Sequence, residues 1–282
     1  MMPGMQKEER TYTAADGWQL FERVWRGTPR AAVVLVHGYA EHSGRYEHVA
    51  ERLVRHRYAV YALDLRGHGR SEGKRALVRS MDDLVADVRD LLDRVRQREP
   101  GLPLFLLGHS MGGAVAGLLL VDSQPEIAGV ILSGAVLRGG RGFETVGQEI
   151  FIALGRLIPR LPLGKLGSEV ISRDPAVREQ YDNDPLVYRG RMAAGTFSSI
   201  VRAAKVIDRR MESITLPLLI LHGGDDALVS PEGSEQLYER AGSQDKTLKI
   251  YDGLFHEVLN APEKDQVLRD IVDWLDARTR RK

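Results

Sequence analysis

Gly108-His109-Ser110-Met111-Gly112-Gly113 separates two stretches of unlike character. Ahead of it, Leu104-Phe105-Leu106-Leu107, preceded by Pro100-Gly101, is a short apolar run bounded by turn residues, which reads as a buried strand. Behind it, Ala114-Val115-Ala116-Gly117-Leu118-Leu119-Leu120 is small and apolar, the pattern of a closely packed helix. G-x-S-x-G between a strand and a helix is a nucleophile elbow. Glycines on both sides of Ser110 permit a turn too tight for larger side chains and hold the hydroxyl above the sheet edge. The pattern by itself is short enough to arise in any strand-to-helix turn, so its meaning rests on the rest of the chain.

Upstream, Ala31-Ala32-Val33-Val34-Leu35-Val36 is a continuous apolar run ending at His37-Gly38, as in a strand covered on both faces. Tyr46, Val49, Ala50, Leu53 and Val54 then share one helical face. Tyr58 to Leu63 is the next strand, closed by the glycine-punctuated loop Asp64 to Ser71, and a long amphipathic helix follows through Met81, Leu84, Val88, Leu91 and Val95. Before all of these, Thr11-Tyr12-Thr13 and Leu20 to Trp25 flank Asp16-Gly17, a combination that predicts a hairpin. Downstream, Gly129-Val130-Ile131-Leu132-Ser133 continues the alternation. The fold class that follows is α/β, with a mostly parallel central sheet covered by helices on both faces.

From Leu137 the alternation stops. Phe143, Val146, Ile150, Phe151, Leu154, Leu157, Ile158 and Leu161 form an apolar stripe, broken by Pro159, Pro162, Gly164 and Gly167, and a second helical stretch runs from Met192 to Val206. We expect residues 138–208 to be a mainly helical insertion, with 1–137 and 209–282 forming the core. Leu216 to Leu221 resumes the strand pattern and ends in His222-Gly223-Gly224-Asp225-Asp226, Thr247 to Tyr251 is the last strand, and Val267, Ile271, Val272 and Leu275 mark a closing helix.

Composition narrows the function. The net charge of +1 over 282 residues gives no general attraction to nucleic acid, and the one basic cluster, Arg278 to Lys282, is a terminal tail. The absence of cysteine excludes a disulfide framework, a thiol nucleophile and a cysteine-ligated metal. The eight histidines show no paired helical spacing with carboxylates, so neither a metal nor another cofactor is expected. Met1 to Arg10 carries Lys7, Glu8, Glu9 and Arg10 around no apolar core, and the expectation is a cytoplasmic protein.

A serine hydroxyl is a poor nucleophile at neutral pH and needs a base, and a histidine near its ordinary pKa can serve. His256, after the last strand, is the candidate base. A carboxylate must orient that imidazole and stabilise the imidazolium. Asp226 is the candidate, with Asp225 its local competitor. In an open parallel sheet all three would meet beyond the carboxyl ends of the strands, and the order Ser, Asp, His is that of the α/β-hydrolase arrangement. The developing oxyanion needs donors: the backbone N–H of Met111 from the elbow, and that of Tyr39, placed by the His37-Gly38 pair. The side chains of His37 and His109 read as structural.

The segments His37 to Tyr46, Asp64 to Ser71, Gly108 to Gly113 and Gln244 to Tyr251, together with Tyr181-Asp182-Asn183-Asp184-Pro185-Leu186 inside the insertion, resemble those of the monoacylglycerol lipase family. The resemblance covers nearly the whole chain and is to the bacterial branch. It implies a lid-bearing α/β-hydrolase that cleaves the single ester of a monoglyceride, with Ser110 acylated, glycerol leaving first and residues 138–208 as the cap. It also implies Glu41 and Arg45 as receivers of the glycerol head. Phe151 and Leu154 would line the acyl tunnel and bring the cap into transient contact with lipid aggregates or a membrane surface. One departure is Leu259, where animal members carry a further histidine three positions beyond the base; a cap carboxylate, Glu149 or Glu144, would take over the glycerol contact. A lysophospholipase or broad carboxylesterase would use the same triad, and a non-catalytic ligand-binding hydrolase fold would not need it.

Overall fold

The computed structural model describes residues 5–137 and 147–279, with side chains from residue 152 onward in the second span. Strands β1 (Gln6–Thr13) and β2 (Gln19–Arg26) form the expected hairpin around Gly17, whose φ of 90° suits a residue without a Cβ. Then come β3 (Ala31–Val36), α1 (Glu47–Arg55), β4 (Tyr58–Asp64), α2 (Met81–Arg98), β5 (Leu104–His109), α3 (Met111–Asp122) and β6 (Gly129–Ser133). The insertion holds α4 (Gly147–Leu157), β7 (Pro162–Lys165), α5 (Pro175–Asn183), β8 (Arg191–Ala193) and α6 (Ala194–Arg210). The chain closes with β9 (Leu218–Gly223), α7 (Glu232–Arg240), β10 (Lys246–Tyr251) and α8 (Lys264–Thr279).

Eight strands form one sheet in the order β1-β2-β4-β3-β5-β6-β9-β10, parallel throughout except that β2 runs against its neighbours. β3, β5, β6 and β9 are buried at every position, which is why their sequences are unbroken apolar runs rather than alternating ones. Alternate residues feed two cores. Val34, Leu106 and Leu132 pack toward α2 and α3, whereas Leu35, Leu107 and Ile131 pack toward α1 and α8.

The strands on either side of the insertion, β6 and β9, are direct parallel neighbours, so the chain leaves the sheet at the carboxyl end of β6 and returns at the amino end of β9, with α6 in the crossover. The insertion, 138–208, is not wholly helical: β7 and β8 pair antiparallel. Nor does it end at residue 208, because α6 continues to Arg210 and its second half joins the main core through Ala203 and Ile207. No helix among the described residues is long and apolar enough to cross a membrane.

Candidate active site

Ser110 stands between β5 and α3 with φ 53° and ψ −115°, a conformation that strains any side chain. The elbow survives because its surroundings demand the flanking glycines. A Cβ at Gly112 would run into the carbonyl oxygens of Val36 and His37, and one at Gly108 would meet the backbone of Gly112. Ser110 N–H donates to the Ser133 carbonyl at 2.9 Å, pinning the turn to β6.

The three predicted side chains converge. His256 Nε2 lies 2.8 Å from Ser110 Oγ, and His256 Nδ1 lies 2.7 Å from Asp226 Oδ2. Asp226 rather than Asp225 is the partner; Asp225 is exposed. The second oxygen of Asp226 accepts the N–H groups of Leu228 and Val229, both at 2.9 Å, which fixes the carboxylate before the imidazole reaches it. Burial by itself would raise the Asp226 carboxyl, but His256 and the hydrogen bonds from His222 and His256 hold it well below the usual carboxylate range. His256 responds in the opposite sense. Burial would lower it, and the Asp226 charge with its hydrogen bond raises it instead, helped by Glu257 and Glu41.

His222 is a member of this group that the sequence reading passed over. Its Nε2 faces two acceptors, Asp226 Oδ2 and the Val229 carbonyl, each at 3.1 Å. That nitrogen therefore carries the hydrogen, and Nδ1, 2.7 Å from Ser234 Oγ, takes the serine proton as acceptor. A histidine at the end of β9 was the available signal. His109 packs as expected, 4.9 Å from the His256 ring, and burial with that neighbour pushes it down to about 4.

The N–H of Met111 opens α3, and that of Tyr39 lies in the loop after β3, where Ala40 has φ 68°. Among the described residues no acceptor engages either amide. The loop is held from behind by Glu41, buried at 2% exposure, whose Oε1 accepts from Gly38 N–H and Tyr46 O–H, both at 2.6 Å. Arg45 does not reach the cavity wall. Its guanidinium donates to Glu41 at 2.7 Å and, as a fork, to both oxygens of Glu257 at 2.6 and 2.8 Å. Glu41 and Arg45 thus form part of a buried network rather than a surface pair.

A cavity of about 450 Å³ opens from Ser110. Its lining includes the polar Glu41, Glu257 and Tyr181, whose buried hydroxyl has no partner among the described residues, and a second polar set, Lys205, Asp208 and Gln236. The apolar part comes mainly from α6, through Phe197, Ile200, Val201 and Ala204.

The family described as serine aminopeptidase, S33, matches residues 27–263. The chain is 39% identical to the monoacylglycerol lipase of Mycolicibacterium smegmatis, over 95% of this chain and 97% of that protein. It is also 39% identical to human monoglyceride lipase, over 94% and 89% of the two chains. The crystal structure of the Paleococcus ferrophilus monoacylglycerol lipase superposes with a TM-score of 0.83 at 33% identity, covering 92% of this chain and 99% of that one. The chain belongs to the monoacylglycerol lipase family.

In this family member Leu259, the departure noted in the sequence, is a core residue, 1% exposed, and its carbonyl lies 2.8 Å from His48 Nε2. Asn260, one residue on, is buried and donates to Glu257 at 2.9 Å. Leu154 is half-buried and, among the described residues, the apolar cavity wall comes mainly from α6. Glu144 and the side chains of Glu149 and Phe151 lie outside the described residues.

Proposed function

We propose that this serine hydrolase cleaves monoacylglycerols to free fatty acid and glycerol through an acyl-enzyme, with Ser110, His256 and Asp226 as its triad. The observation that carries the reading is the unbroken relay from Ser110 Oγ to His256 Nε2 at 2.8 Å and from His256 Nδ1 to Asp226 at 2.7 Å, opening into a cavity with both polar and apolar lining. His256 takes the Ser110 proton as Oγ attacks the ester carbonyl carbon. The oxyanion is received by the N–H groups of Tyr39 and Met111, the latter at the positive end of α3. The imidazolium, stabilised by Asp226, then protonates the departing glycerol oxygen. A water deprotonated by the same histidine attacks the acyl carbon, and collapse of the second tetrahedral species returns the proton to Ser110.

Residues 138–208 act as the cap in this reading. The acyl chain runs along Phe197, Ile200 and Val201, the glycerol sits at Glu41 and Tyr181, and the enzyme works from the cytoplasm on lipid aggregates or a membrane surface that its cap touches. Rates on monoolein, on lysophosphatidylcholine and on a short p-nitrophenyl ester test the substrate class. The expected result is kcat/KM highest for monoolein; equal or higher turnover of the lysophospholipid would move the assignment to a lysophospholipase.

A further inference from the structure

Two loops must hold still relative to each other for the proposed chemistry: the one that presents the Tyr39 N–H and the one that carries His256. A single side chain spans them. Arg45 is rooted in the short helical turn after the first loop, and its side chain is 9% exposed. On one side it grips Glu41, whose other oxygen holds the Gly38 N–H, the peptide immediately before Tyr39. On the other side it grips both oxygens of Glu257, the residue immediately after His256.

The surroundings close the arrangement. Glu257 also accepts from Asn260 Nδ2 at 2.9 Å, and its backbone N–H donates to the Ile171 carbonyl of the insertion at 2.9 Å. The Tyr181 ring covers the guanidinium, with its centroid 4.8 Å from Cζ. Stability alone is a poor account of this group. One guanidinium between two carboxylates leaves a net negative charge in a place nearly closed to water, and burying ions costs desolvation that roughly offsets their attraction. A planar fork between two anchors does, however, fix distance and orientation better than any apolar contact.

We infer that Arg45 is a positioning residue that locks the oxyanion loop to the His256 loop through Glu41 and Glu257. The inference rests on the proposed triad. It separates Arg45 from a substrate contact, because Arg45 lies behind the cavity wall while Glu41 and Glu257 form part of it. The two carboxylates add a second effect, since their charges join that of Asp226 in raising His256.

The test is Arg45→Lys, which keeps the charge and loses the fork. Its kinetics are measured on a monoacylglycerol and on the p-nitrophenyl ester of the same fatty acid, beside melting temperatures and an Ser110→Ala control. Positioning predicts a fall in kcat of about 10 to 10²-fold, equal on the two esters, with KM and the melting temperature little changed. A loss confined to the glyceride would make Arg45 a glycerol contact, and a lowered melting temperature with unchanged kcat would make it structural; either overturns the inference. Glu257→Gln is the second variant. Its kcat falls on both esters and the acid limb of kcat/KM moves to lower pH, because a negative charge that raises His256 is gone; an unmoved limb with unchanged kcat also overturns it. If Ser110→Ala still hydrolyses ester, the reading of the site itself fails. If that control is dead and both variants behave as wild type, only the present inference falls.

Discussion

The carboxyl end of the sheet and the insertion above it solve different problems with different materials. At the sheet end Ser110, Asp226 and the Tyr39 N–H sit on turns that follow fully buried strands, and His256 follows the half-buried edge strand β10, so the strands fix the turns and the turns fix the atoms. The insertion contributes no member of the triad. It lays one helix, α6, over the cavity with its apolar face down and its far half sunk into the main core. Chemistry is thus built on rigid strand ends, and fit to the acyl chain is set by a surface that can vary without disturbing them.

The comparison breaks most sharply at Ser110. Ser110→Ala should lower kcat by about 10⁶-fold while leaving ligand affinity and the melting temperature near wild type, read by steady-state kinetics and calorimetry. Asp226→Asn should cost about 10⁴-fold in kcat. The sign of the pH effect follows from the same contact: Asp226 raises His256, so removing its charge lowers that pKa and shifts the acid limb of kcat/KM downward. An acid limb that stays in place would show that Asp226 does not govern the base.

On the insertion side the expected effects are smaller and alter preference rather than rate. Val201→Trp, on the buried face of α6, shortens the apolar part of the cavity. It should depress kcat/KM for long-chain monoglycerides by about 10-fold or more relative to short-chain ones, with the short-chain rate retained. Equal loss across the chain-length series would mean that the acyl chain runs elsewhere.

Most of the sheet end was legible in the sequence because its constraints are local. The glycines around Ser110 stand in a short pattern that needs no distant contact to be recognised, although Gly112 answers to the carbonyls of Val36 and His37 at the end of β3, and the buried strands betray themselves as continuous apolar runs. Asp226 and His256 could be named because the chain order and strand ends limit the choices. What stayed hidden depends on contacts between distant segments. Nothing in His222 alone says that it shares Asp226 with His256, and nothing in Glu257 alone says that Arg45, far upstream, will grip it. The helix α7, Glu232–Arg240, escaped because its apolar face is reduced to little more than Leu237, although Ser230-Pro231 ahead of two glutamates was a usable start signal. The stripe from Phe143 to Leu161 is legible as an apolar face, with Phe151 and Leu154 expected to line a tunnel. Periodicity reports a face, not what covers it, and Leu157 and Ile158 are 80% and 52% exposed.

Those two residues give the smallest and most conditional difference between the regions. Leu157 ends α4 and Ile158 follows it, and between Glu149 and Glu169 the chain has Arg156, Arg160 and Lys165 but no acidic residue. All three cations are exposed. The proposed lipid contact would bring this apolar pair, with three cations near it in the chain, to an anionic surface, where each cation would contribute about 1 kcal/mol of attraction. The double variant Leu157→Ser, Ile158→Ser removes apolar area from that contact and no atom from the site. Turnover of a monomeric short-chain ester should therefore be unchanged, while binding to vesicles containing phosphatidylglycerol weakens by about 10-fold, a fraction of the full burial value because the side chains only dip into the interface. Raising the salt should weaken vesicle binding of the wild type and of the variant by the same factor, since the cations remain in both. If vesicle binding is unaffected by the double variant but the monomeric rate falls, the pair belongs to the working of the cap and not to its contact with lipid.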